Sequence, residues 1–111
     1  MKSKNELKLP PKATLKDYQK YVMDLEKRRG FLQQTAIEKC LMLGEEVGEL
    51  FKAVRKKEGL KVDKKNSKFK DIPGELADIF IFILSISNKF DIDLEKAFIN
   101  KEAINKKRIW N

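Results

Sequence analysis

Two pairs of acidic residues carry the chemical potential of this 111-residue chain: Glu46 with Glu49 and, after 25 intervening residues, Glu75 with Asp78. Each pair has i, i+3 spacing, which on a helix places both carboxylates on one face about 60° apart. Like charges at that spacing repel, and a helix gains nothing from them. Asp78 sharpens the point, because it is the only charged residue between Leu76 and Leu84, the most apolar stretch of the chain. A buried, unpartnered carboxylate costs several kcal/mol. If the two segments are helices that face each other, four carboxylates converge and something cationic must lie between them.

The chemistry open to such a cluster is narrow. Histidine is absent, which excludes Ser-His-Asp and Cys-His catalysis and any His-ligated zinc site. Oxygen ligands alone select a hard cation, Mg²⁺ or Mn²⁺ before Zn²⁺, and Mg²⁺ commonly accompanies phosphate substrates. Glu45 adjoins the cluster and reads as a surface acid, with a catalytic base as the less favoured alternative. The one cysteine, Cys40, can form no intrachain disulfide, which fits a reducing, cytoplasmic setting.

Four helices are expected to position these groups. Thr14 with Asp17 forms a capping box ahead of Leu15, Tyr18, Val22 and Leu25 at helical spacing, and Gly30 ends that segment. Thr35 with Glu38 is a second capping box, opening a helix through Ile37, Leu41, Val47, Leu50 and Val54 to about Lys57, with Gly59 beyond. Residues 60 to 72 are polar, basic and aperiodic, and read as a surface loop. Asp71 and Pro73 suit the first turn of a third helix running to about Asn88, whose apolar residues lie on every face and predict burial all round. Asp91 or Asp93 caps a fourth helix from Leu94 to about Ile109. Four helices on short loops predict an all-α, four-helix bundle.

Length and composition agree with one domain covering residues 1–111, of which residues 1–12 form a basic tail. No run approaches the roughly 20 apolar residues a membrane helix needs, and no apolar region follows the tail, so no signal peptide is expected. The net charge of +8 hints at an anionic partner, though the cations are mostly Lys and much of that charge lies in the tail and in Arg55 to Lys70, where a solvated face is the simpler reading. Lys101, Asn105 and Arg108 fall at i, i+4, i+7, a single stripe down the expected fourth helix. Two cations and an amide on one face suit a polyphosphate.

The ordered set of motifs resembles the MazG-like all-α nucleoside triphosphate pyrophosphohydrolases, which include the dCTP pyrophosphatases. Gly44-Glu45-Glu46-Val47-Gly48-Glu49-Leu50 is similar to the first motif of that family and Glu75-Leu76-Ala77-Asp78-Ile79 to the second. Asp91 to Ala97 resembles the loop into its last helix, and Lys101, Asn105 and Arg108 its Lys-x-x-x-Asn-x-x-Arg ending; Thr14 to Phe31 is similar to the first helix of the dCTP-type members. The resemblance implies attack of water on the α-phosphorus of a (d)NTP, giving (d)NMP and pyrophosphate in a nucleotide-pool house-cleaning role. Glu46, Glu49, Glu75 and Asp78 would hold Mg²⁺, or Mn²⁺ in its place, with Lys101, Asn105 and Arg108 on the triphosphate. It also implies a homodimer or homotetramer, which the apolar third helix independently suggests. Trp110 and Phe31 read as base-stacking or packing residues. The competing reading is a basic helical module without enzymatic activity, binding nucleic acid or a partner protein.

Overall fold

The computed structural model describes residues 6–59 and 71–110. It contains α1 (Leu15–Arg29), α2 (Ala36–Lys57), α3 (Ile72–Lys89) and α4 (Leu94–Asn105), with no strand among the described residues. The all-α class read from the sequence is the class observed. Of the basic loop expected at 60–72, residues 60–70 lie outside the described residues, as do residues 1–5 of the tail. The helices fall into two compact units, Met1–Gln33 with Ser87–Asn111, and Gln34–Ile86.

In the first unit, α1 begins where its sequence says it should. The Thr14 hydroxyl accepts from the Asp17 N–H at 3.2 Å while the Asp17 carboxylate accepts from the Thr14 N–H at 2.8 Å, closing the capping box. Gly30 ends the helix at φ 73°, a left-handed conformation that costs a residue with a Cβ but not glycine. Buried Gln19 ties the start of α4 to α1. Its Oε1 accepts from the Leu94 N–H at 3.0 Å, and its Nε2 donates to the Ile92 carbonyl at 2.8 Å and to Asn88 Oδ1 at 3.2 Å. Asn88 Nδ2 returns a bond to the Gln19 carbonyl at 2.8 Å. Asp93, rather than Asp91, caps α4, accepting from the Lys96 N–H at 3.1 Å. Asp91 instead makes the preceding turn at φ 53°.

The second unit is built on α2 and most of α3. The Thr35 and Glu38 capping box opens α2, with bonds of 2.8 and 3.1 Å, and Asp71 caps α3 through the Gly74 N–H at 3.0 Å. The two helices run antiparallel. Buried Lys39 of α2 donates from Nζ to the Oγ of buried Ser85 of α3 at 2.7 Å. Seven residues further along α2 and seven back along α3, Glu46 meets Asp78. Ala53 and Leu84 supply buried apolar surface.

Two expectations are corrected. Helix α3 is not buried on all sides within this chain: Leu76 is 52% exposed, and Ile81 and Ile83 are exposed as well. Its apolar ring is wider than the surface the chain itself covers. Helix α4 stops at Asn105, not near Ile109, because bonds from the Lys107 N–H to the Ile104 carbonyl and from the Arg108 N–H to the Asn105 carbonyl, both 3.1 Å, tighten the chain into turns.

Candidate metal centre

Glu46 enters the site from the middle of α2, and Glu75 and Asp78 from the first two turns of α3. One carboxylate oxygen from each lies within 4.8 Å of the other two. Glu75 is 1% exposed, and Glu46 and Asp78 are half-buried. At that separation and an effective dielectric of about 20, each ionised pair repels by about 3 kcal/mol. Glu75, in the first turn of α3, is favoured by its helix position, but nothing of that kind calls for Glu46 and Asp78 beside it. A divalent cation converts the repulsion into attraction, and three carboxylates at this spacing are a donor set that fits Mg²⁺ or Mn²⁺.

Glu49, the fourth acid read from the sequence, stands apart from this trio. Its Oε1 lies 3.8 Å from Lys52 Nζ, one turn on, and its Oε2 is buried with no hydrogen-bond partner among the described residues. Buried acceptors are seldom left without a partner, so this oxygen calls for an explanation. Glu45 is exposed, as expected of a surface acid.

Lys101, Asn105 and Arg108 belong to the first unit. Lys101 is exposed on α4, and Asn105 is its last residue, half-buried, with an Oδ1 that has no partner among the described residues. Arg108 lies beyond the end of the helix, so the three do not form one helical stripe. Its guanidinium sits 6.0 Å from the centroid of the Trp110 ring, within cation–π range. Trp110 is 74% exposed, so little of it packs within this chain, whereas Phe31 is 43% exposed and partly covered.

Residues 34–109, well over half of the chain, match the family model of the MazG nucleotide pyrophosphohydrolase domain. The chain belongs to that family. The match names the MazG family and no branch within it, and a search of curated proteins finds no match to the chain. Enzymes of the MazG family depend on divalent metal, and the carboxylate trio of this MazG domain lies inside the matched segment. No helix among the described residues is long and apolar enough to cross a membrane.

Sequence reading missed one feature of this MazG domain, the buried Lys39–Ser85 pair. Its only trace in the sequence is a phase relation. Lys39 precedes Glu46 by seven residues and Ser85 follows Asp78 by seven, which puts each on the acidic stripe of its own helix. A lysine between Glu38 and Cys40 otherwise looks like any solvated cation.

Proposed function

We propose that this MazG domain hydrolyses nucleoside triphosphates to monophosphate and pyrophosphate, with Mg²⁺ held by Glu46, Glu75 and Asp78 and completed by Glu49. The observation that carries the reading is the convergence of three carboxylates, one fully buried, on an antiparallel helix pair. Bound there, Mg²⁺ supplies the charge that screens the phosphate oxygens and stabilises the transition state. The protein's own groups do the rest. The carboxylates fix the site on two rigid helices, and Glu49, whose Oε2 is buried without a hydrogen-bond partner among the described residues, would complete the ligand set. Lys101 and Arg108 bind the polyphosphate and Asn105 orients it. A water oxygen then bonds to the α-phosphorus as the bond to the α–β bridging oxygen breaks, leaving pyrophosphate.

The whole chain acts as one such domain, assembled as a homodimer or homotetramer and serving nucleotide-pool house-cleaning in the cytoplasm. The assembly reading is supported by large apolar side chains left in solvent on α2, where Ile37, Leu41 and Phe51 are 74%, 71% and 63% exposed. Gly44 and Gly48 lie between them at the same helical phase, and a Cβ at either would meet nothing within 4 Å. Packing within the chain therefore does not demand these glycines, although each costs α2 about 0.5–1 kcal/mol relative to Ala.

The test is incubation with Mg²⁺ and a panel of canonical and modified NTPs and dNTPs, scoring pyrophosphate against orthophosphate. Metal-dependent pyrophosphate release that disappears in Asp78→Asn and Glu49→Gln is the expected result. Folded protein that turns over no nucleotide, yet binds DNA or RNA without Mg²⁺ in a salt-sensitive way, would replace this reading with the basic binding module.

A further inference from the structure

Lys39 is 2% exposed and Ser85 is 1% exposed, and neither has a part in the chemistry above. A buried ammonium is a costly way to fill space. Methionine would occupy much the same volume without desolvating a charge, and a buried charge, even a paired one, is weak evidence for stability. Desolvation therefore gives no reason for the charge at this position.

Its placement does. Lys39 lies on the stripe of α2 that carries Glu46, seven residues or about 10 Å away along the axis. Through Ser85 it is also in register with Asp78, seven residues from the same cluster on α3. The field of a buried charge is weakly screened by solvent and salt. We propose that Lys39 is a built-in counter-charge that holds down the affinity of the carboxylate cluster for a bare divalent cation. This rests on reading the cluster as a metal site. A positive charge fixed near the site repels a free dication but attracts the net-negative complex of that cation with a nucleoside triphosphate. The site thus fills mainly when metal and nucleotide arrive together, and stays little occupied by metal alone.

The sign of the effect separates this role from a structural one. Removing a merely structural lysine distorts the cluster and weakens metal binding. Removing a repulsive charge strengthens it. Mn²⁺ binding to the nucleotide-free protein, followed through the electron paramagnetic resonance of free Mn²⁺, reads that sign directly, with far-UV circular dichroism confirming the fold. Lys39→Met is expected to bind Mn²⁺ on the order of tenfold more tightly than the wild type. Ser85→Ala, which leaves the charge in place, should stay within about twofold of the wild type, since a neutral hydroxyl adds little to the field. Lys39→Gln, which can still donate to Ser85, serves as the second neutral variant should methionine compromise folding. Unchanged or weaker binding in a folded neutral variant would overturn the proposal, and so would loss of helicity in both, which would make Lys39 a structural residue. If the wild type and every variant fail to bind Mn²⁺ at all, the metal-site reading itself falls.

Discussion

Glu75 is buried to 1% exposure within 4.8 Å of two other carboxylates, an arrangement that folding alone would not select. Glu75→Gln keeps its shape and removes one charge. Turnover should fall by about a hundredfold or more, since a metal ligand is lost while the substrate groups remain. The metal-free variant should melt at higher temperature than the wild type, by the equivalent of about 1 kcal/mol or more, because like-charge repulsion is relieved. Nucleotide turnover and a thermal melt in chelator read the two effects separately, and an unchanged melt would show that the acids are not in conflict. The acidic positions were legible in the sequence because i, i+3 spacing survives any tertiary arrangement. The separate environments of Glu49, beside Lys52, and of the trio were not, since side-chain direction depends on neighbours from another helix.

At the scale of elements, caps and turns decide the boundaries. Glu38 has its carboxyl held below the ordinary value of 4.5, chiefly by the hydrogen bond from the Thr35 N–H and next by the Thr35 hydroxyl. A carboxyl lowered in the folded state binds fewer protons than in the unfolded one. Its contribution is therefore present above 4.5 and lost as pH falls through the lowered folded value. Glu38→Gln should abolish that component, so wild type and variant stability should converge on acidification below 4.5, which chemical denaturation across pH would show. Gln19 is the other element-scale anchor. Gln19→Leu leaves the Leu94 N–H and the Ile92 carbonyl unpaired and should cost about 2 kcal/mol in urea unfolding, with a loosened α4 start visible in amide exchange. Both capping boxes and the Gly30 stop were readable because they are local, whereas Gln19 and Asn88 are 69 residues apart. The end of α4 was missed for want of any Gly or Pro to mark it, and with Ile109 and Trp110 exposed, no burial holds the last turn helical.

The molecule as a whole leaves more apolar surface on α2 and α3 in water than a lone chain gains from. Leu41→Glu with Phe51→Glu should convert an assembled species to monomer in light scattering after gel filtration while retaining helicity, since like charges would then face each other across the contact. If the wild type is already monomeric, the exposed stripe is not an interface between copies.

The residue pattern by itself determined that this chain is helical, where three of its four helices stop, and which acids lie on one face of each. Those are properties of short segments, set by backbone sterics, capping and a 3.6-residue repeat that operate within a few residues. Only the tertiary structure decided that α2 and α3 run antiparallel in the register joining Lys39 to Ser85, and with it that Glu46, Glu75 and Asp78 meet while Glu49 leans on Lys52. Register between helices is settled by the packing of side chains distant in sequence, and a lysine's burial follows from what packs over it rather than from the residues beside it.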